Sequence, residues 1–69
     1  MVYPSLGPAM RYYRRRRGIS QADLASDAEL SQRSISNYEM GYVRPRNTTL
    51  GSIAHALGVS ISDLLDYGA

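Results

Sequence analysis

Gly18, Gly41 and Gly58 punctuate this chain, and each lies where a helical pattern of apolar residues breaks off. Glycine reaches the left-handed backbone conformation that commonly ends helices, so these residues divide the chain into short helical segments. Side chains able to start the next helix follow closely. Ser20 with Asp23 comes after Gly18, and Ser60 with Asp63 after Gly58; each pairs a capping hydroxyl with an acid three residues on. Ser31 supplies a further N-cap. Residues 41–47, with Pro45, read as a loop, and Asn47 or Thr48 is the expected cap of the helix beyond it. No stretch alternates apolar and polar residues for long enough to make a strand. The expectation is an all-α fold, a compact bundle of five short helices.

The apolar positions give each helix an inner face. Ser5 is the expected cap of the first helix, with Pro8 near its start, where a missing N–H costs little. Leu6, Met10, Tyr13 and Arg17 recur at helical spacing and are expected to face inward. Leu24, Ala25 and Ala28 do so in the second helix. Ile35 and Tyr38 do so in the third, expected over 32–40. The fourth helix carries Leu50, Ile53, Ala54 and Leu57, and the last one Ile61, Leu64 and Leu65. Residues 1–4 read as an N-terminal arm, 5–66 as one domain and 67–69 as a C-terminal tail.

With 69 residues and no cysteine, the chain has no disulfide and no thiolate metal site; a reducing cytoplasm is the expected compartment. No apolar run approaches the roughly 18 residues that span a bilayer, and no export signal is evident. His55, the single histidine, reads as a surface residue rather than a catalytic or metal-binding one. No cofactor, metal or small-molecule ligand is expected. The formal net charge is only +2, but residues 1–18 hold five of the arginines (Arg11, Arg14, Arg15, Arg16, Arg17) and no acid. Such a local excess steers polyanions. Successive residues on a helix lie about 100° apart, so Arg11, Arg15 and Arg16 cannot all face one duplex. One or two reach phosphate on this reading, and the rest are solvated. Among the six tyrosines, Tyr13 and Tyr38 lie on inward stripes, which favours packing over base stacking.

The second and third helices carry the functional signal. Two helices joined by about three or four residues and crossing steeply form a helix-turn-helix. The crossing needs a small residue, supplied by Ala25, and an apolar one just after the turn, supplied by Leu30. Ile35 and Tyr38 anchor the third helix. Gln32, Arg33, Ser34, Ser36 and Asn37 then lie off the inner stripe. Asn and Gln side chains pair with adenine's edge, and Arg with guanine's.

The span Leu6–Leu65 resembles the Cro/phage-repressor (XRE-like) helix-turn-helix family. The matching runs are Arg17-Gly18-Ile19-Ser20-Gln21-Ala22-Asp23-Leu24-Ala25 and Ser31-Gln32-Arg33-Ser34-Ile35-Ser36-Asn37-Tyr38-Glu39-Met40-Gly41, continued by Arg44-Pro45-Arg46 and Leu57-Gly58-Val59-Ser60. The resemblance implies a lambda-repressor-like fold, with the helix-turn-helix at helices two and three. It also implies binding of double-stranded DNA as a transcriptional regulator, a phage or prokaryotic repressor on a palindromic operator. Gln32, Arg33, Asn37 and Ser36 correspond to base-contacting positions; Gln21, Ser34, Arg44, Arg46 and Tyr42 fall where phosphate contacts are expected. Arg14 and Glu39 match an ion pair tying the first helix to the third, with both side chains expected half-buried. The sequence departs from the family pattern at Glu29, where the turn commonly has glycine, and at Ala28, often a larger aliphatic. A left-handed Glu29 would carry strain on the order of 1 kcal/mol or more.

Two other readings remain open at this level. The same fold serves protein-interaction modules, such as antitoxin-like or anti-repressor subunits, although these have no need of Gln21, Arg44 and Arg46. The chain is alternatively the DNA-binding part of a longer regulator. Only four residues follow Leu65, so any homodimer is expected to be weak and to use the C-terminal helix.

Overall fold

The computed structural model describes residues 6–67. Among these, five helices and no strands are present: α1 Leu6–Arg17, α2 Gln21–Asp27, α3 Gln32–Glu39, α4 Asn47–Leu57 and α5 Ile61–Leu65. They surround one apolar centre built from Leu6, Met10, Leu24, Ile35, Leu50, Ile53 and Leu64, all fully buried. Every helix contributes to it, so no helix is stable apart from the others. That is the ordinary condition for helices this short.

The local signals act as their chemistry dictates. The Ser20 hydroxyl accepts from the Asp23 amide at 3.0 Å, while the Asp23 carboxylate accepts from the Ser20 amide at 3.1 Å. Ser60 and Asp63 repeat this reciprocal cap at α5, both bonds at 3.0 Å. Ser31 caps α3 by accepting from the Ser34 amide at 3.1 Å. At α4 the expectation of Asn47 or Thr48 as cap is corrected: Arg46 occupies the cap position, with no side-chain cap bond. Its carbonyl already accepts from the Leu50 amide at 2.7 Å. Asn47 is therefore inside the helix, and its side chain is past the amides that a cap must reach.

Arg17 is exposed rather than inward. It is the last residue of α1, beyond the reach of the core, and its guanidinium lies close over Gly58, 3.0 Å from where a Cβ would stand. α3 ends at Glu39, with Met40 as its C-cap. Ser5, the expected cap of α1, lies outside the described residues, as do the arm 1–4 and residues 68 and 69. Tyr67, at the start of the expected tail, packs against the core beside Tyr13.

Four helix ends share one backbone device. An amide just past each end bonds back to the carbonyl five positions earlier: Ile19 to Arg14, Leu30 to Ala25, Tyr42 to Asn37 and Val59 to Ala54, at 2.8–3.2 Å. This closing turn requires a left-handed residue just before that amide. Gly18, Gly41 and Gly58 fill it with φ of 72°, 79° and 73°. In the helix-turn-helix turn the residue is Glu29, with φ 58°. The turn therefore keeps the family geometry, and Glu29 takes the strained conformation.

Candidate nucleic-acid interface

Packing sets the direction in which α3 presents its side chains. Ala25 of α2 is buried in the core, and Leu30, half-buried after the turn, packs on it. Ile35 is fully buried and Tyr38 leans on the same cluster. With that stripe turned inward, Arg33, Asn37 and Met40 fall on the opposite side of the helix. Gln32 and Arg33 are exposed; Ser34, Ser36 and Asn37 are half-buried. The Ser34 hydroxyl accepts from Ser31 at 2.9 Å and keeps its own proton to donate. Ser36 touches the Met40 sulfur at 3.9 Å.

The inner end of α3 is held by charge. Glu39 is 2 % exposed, so the expectation of half-burial is corrected: its carboxylate is enclosed. Arg14 meets it with two bonds, Nε to Oε2 at 2.8 Å and Nη2 to Oε1 at 3.2 Å. Gln21 Nε2 donates to the same Oε1 at 3.1 Å. A carboxylate buried this far needs such company, because an unpaired buried charge costs several kcal/mol. Arg14 also donates to the Ile19 carbonyl at 3.2 Å, which fixes the guanidinium across the α1–α2 turn. The Glu39 group thus joins α1, α2 and α3 at one point.

Two contributors escaped the sequence reading. Arg11 Nη1 donates to the Glu39 backbone carbonyl at 2.9 Å, satisfying one of the carbonyls orphaned at the end of α3. Gly7 lies flat against that carbonyl; a Cβ there would overlap it. Gly7, Arg11 and Arg14 follow each other at i, i+4 and i+7, so one stripe of α1 is given over to Glu39. That spacing is the signal that could have exposed them.

The remaining candidates surround α3. Gln21 opens α2, half-buried, with one amide N–H on Glu39 and the other left over. Tyr42 is 70 % exposed, and Arg44 and Arg46 are exposed on either side of the buried Pro45. Met40 and Val43, both exposed, stand in the same region without having been singled out. His55 is exposed on α4, and among the described residues no His, Cys, Asp or Glu cluster could hold a metal ion. No helix among them is long and apolar enough to cross a membrane.

A helix-turn-helix family model matches residues 10–64. The chain belongs to the XRE-type helix-turn-helix family. An HTH-type transcriptional regulator, DdrOP3 of Deinococcus deserti, is 35% identical over 57 residues, covering 83% of this chain and 44% of that protein. The chain therefore spans less than half the length of that relative. The clp gene regulator ClgR of Corynebacterium glutamicum superposes with a TM-score of 0.87 at 32% identity, covering 96% of this chain and 86% of the other. The DNA-binding domain of the P22 C2 repressor does so with a TM-score of 0.86 at 29% identity, covering 94% and 86%. Family and fold are thus those of DNA-binding transcription regulators.

Proposed function

We propose that this chain binds double-stranded DNA sequence-specifically as a transcriptional regulator, with α3 in the major groove. One observation carries the reading. Arg33 and Asn37 stand on the outer side of a helix whose inner side is clamped through a buried carboxylate, Gln32 is exposed in its first turn, and the side chains of all three engage no other described group. Polar side chains left unengaged on a rigidly held helix suit base edges, where donors and acceptors must arrive already aimed. Arg33 would take guanine, and Gln32 and Asn37 adenine, with Ser36 beside them. Gln21, Ser34, Tyr42, Arg44 and Arg46 surround that helix and would meet phosphates, which set register and most of the salt dependence.

Two copies would occupy half-sites of a palindromic operator about one helical turn apart, roughly 34–36 Å. The protein would act in the cytoplasm as a phage or prokaryotic repressor. Selection of bound sequences from a random DNA pool tests this directly. Recovery of a common, palindromic site is the expected result. A pool that stays random after several rounds, with equal affinity for every duplex, would refute sequence-specific binding.

A further inference from the structure

The exposed side of α1 carries a chemistry that DNA reading by α3 does not use. Pro8, Arg11, Tyr12, Arg15 and Arg16 line a depression of about 510 Å³, and Tyr67 closes one side of it from beyond α5. Small-molecule sites commonly occupy about 300–1,000 Å³. Its guanidinium groups gather without compensation: no described carboxylate lies within ion-pair distance of Arg11, Arg15 or Arg16.

The lining is held in place. Arg11 is tethered to the Glu39 carbonyl at 2.9 Å. Arg16 donates to the Tyr12 hydroxyl at 2.8 Å, with its guanidinium carbon 6.0 Å from that ring's centroid. A guanidinium has five N–H donors, so each of these keeps most of its capacity. Arg15 is exposed and has all of its own. The rings form a cluster rather than separate mobile groups. Tyr12 lies 5.3 Å from Tyr67 and 5.0 Å from Tyr13, centroid to centroid.

Guanidinium forks lining one depression match phosphate oxygens, whose geometry they bind in bidentate fashion. The tyrosine cluster beside them supplies aromatic surface for a flat ring. A bare phosphate chain would use the arginines and leave the rings idle, and a neutral base would do the reverse. We propose that this depression binds a nucleoside di- or triphosphate, with the phosphates on Arg11, Arg15 and Arg16 and the base against Tyr12 and Tyr67. The site lies on α1, away from Gln32, Arg33 and Asn37, and does not depend on the DNA-binding reading.

The test is a titration of the full chain, labelled with nitrogen-15, followed by heteronuclear NMR. The probes are ATP, tripolyphosphate and adenosine. ATP should shift amide signals of residues 9–16 and Tyr67, and bind at least tenfold more tightly than either part-ligand. Arg15→Glu should weaken ATP at least tenfold, Arg15→Gln less so, and Arg33→Ala under twofold. Because Arg15 touches nothing, both Arg15 variants should keep the wild-type spectrum elsewhere. Shifts confined to α3 and residues 44–46 would overturn the proposal, as would tripolyphosphate binding as tightly as ATP. Indifference to Arg15→Glu would do so as well.

Discussion

Replacing Glu29 with glycine isolates a single energetic effect. Ends of α1, α2, α3 and α4 close with the same backbone bonds, and only the turn between α2 and α3 does so without glycine, at Glu29 with φ 58°. The left-handed conformation costs an L-residue about 1–2 kcal/mol. Glycine avoids that cost but gives the unfolded chain more freedom, which returns about 0.5–1 kcal/mol. The Glu29 side chain is exposed and engages no described group, so little else is lost. Glu29→Gly should therefore stabilise the domain by about 0.5–1 kcal/mol. For a domain of this size each kcal/mol moves the melting temperature by about 4–8 °C, so Tm should rise by about 2–8 °C. Glu29→Ala is the necessary control, because it removes the same carboxylate and keeps the Cβ. It should leave stability unchanged or slightly lower. Thermal and urea melts followed by circular dichroism, at equal protein concentration, compare the three proteins. If Glu29→Gly is no more stable than Glu29→Ala, the turn holds no strain, and the argument from the shared helix ends is wrong.

The two helical glycines should respond in opposite directions. Gly7→Ala drives a methyl into the Glu39 carbonyl and should cost about 1–3 kcal/mol or more in urea melts. Gly51→Ala meets only the Ile61 methyl at 3.8 Å and should gain about 0.5–1 kcal/mol. Arg33→Ala should cost about 1–3 kcal/mol on the selected site and relax preference at one base pair; Arg46→Ala should weaken every sequence alike and flatten the salt dependence by about one unit of slope. Arg14→Ala leaves the Glu39 carboxylate buried with only Gln21, and should destabilise by about 3–5 kcal/mol in the same melts. The Ser20 amide, and then its hydroxyl, hold the Asp23 carboxyl below its ordinary 3.8. A lowered carboxyl stabilises the fold above its unfolded value, and this is lost as pH falls through the folded one. The stability gap between wild type and Asp23→Ala should therefore be constant at neutral pH and close below 3.8.

Helix starts and stops were legible in the sequence because each rests on one or two adjacent residues. Ser20 with Asp23, Ser31, Ser60 with Asp63, and the glycines after α1, α3 and α4 need no tertiary information. The inner faces followed from spacing, and the error at Arg17 came from extending a stripe past the point where the core stops. The cap of α4 was misread because Asn47 and Thr48 have the right chemistry one residue too late. The outer residues of α3 were legible by elimination, once Ile35 and Tyr38 were assigned inward. Gly7 and Arg11 were not, because their partner is a backbone carbonyl. A carbonyl carries no residue identity, so only their i, i+4 and i+7 spacing with Arg14 pointed to the contact. The aromatic wall of Tyr12 and Tyr67 was hidden for a related reason: its members come from opposite ends of the chain.

The investment around Glu39 is better understood as aim than as stability. α3 has eight residues, about two turns, too few to hold its own direction. Apolar contacts at Ile35 and Tyr38 press it onto the core, but they resist rotation about the helix axis weakly. A bidentate guanidinium does resist it, since two bonds at 2.8 and 3.2 Å to different carboxylate oxygens fix an orientation. Arg11 and Gly7 then fix its end against sliding. A well-packed apolar replacement for such a buried pair is often neutral or better for stability. Its retention in a reading helix is explained if rotation is what must be prevented: turning α3 by one residue's angle would exchange Arg33 and Asn37 for their neighbours. Replacing Arg14 and Glu39 together by methionines should therefore restore much of the stability lost in Arg14→Ala. It should not restore discrimination among operators.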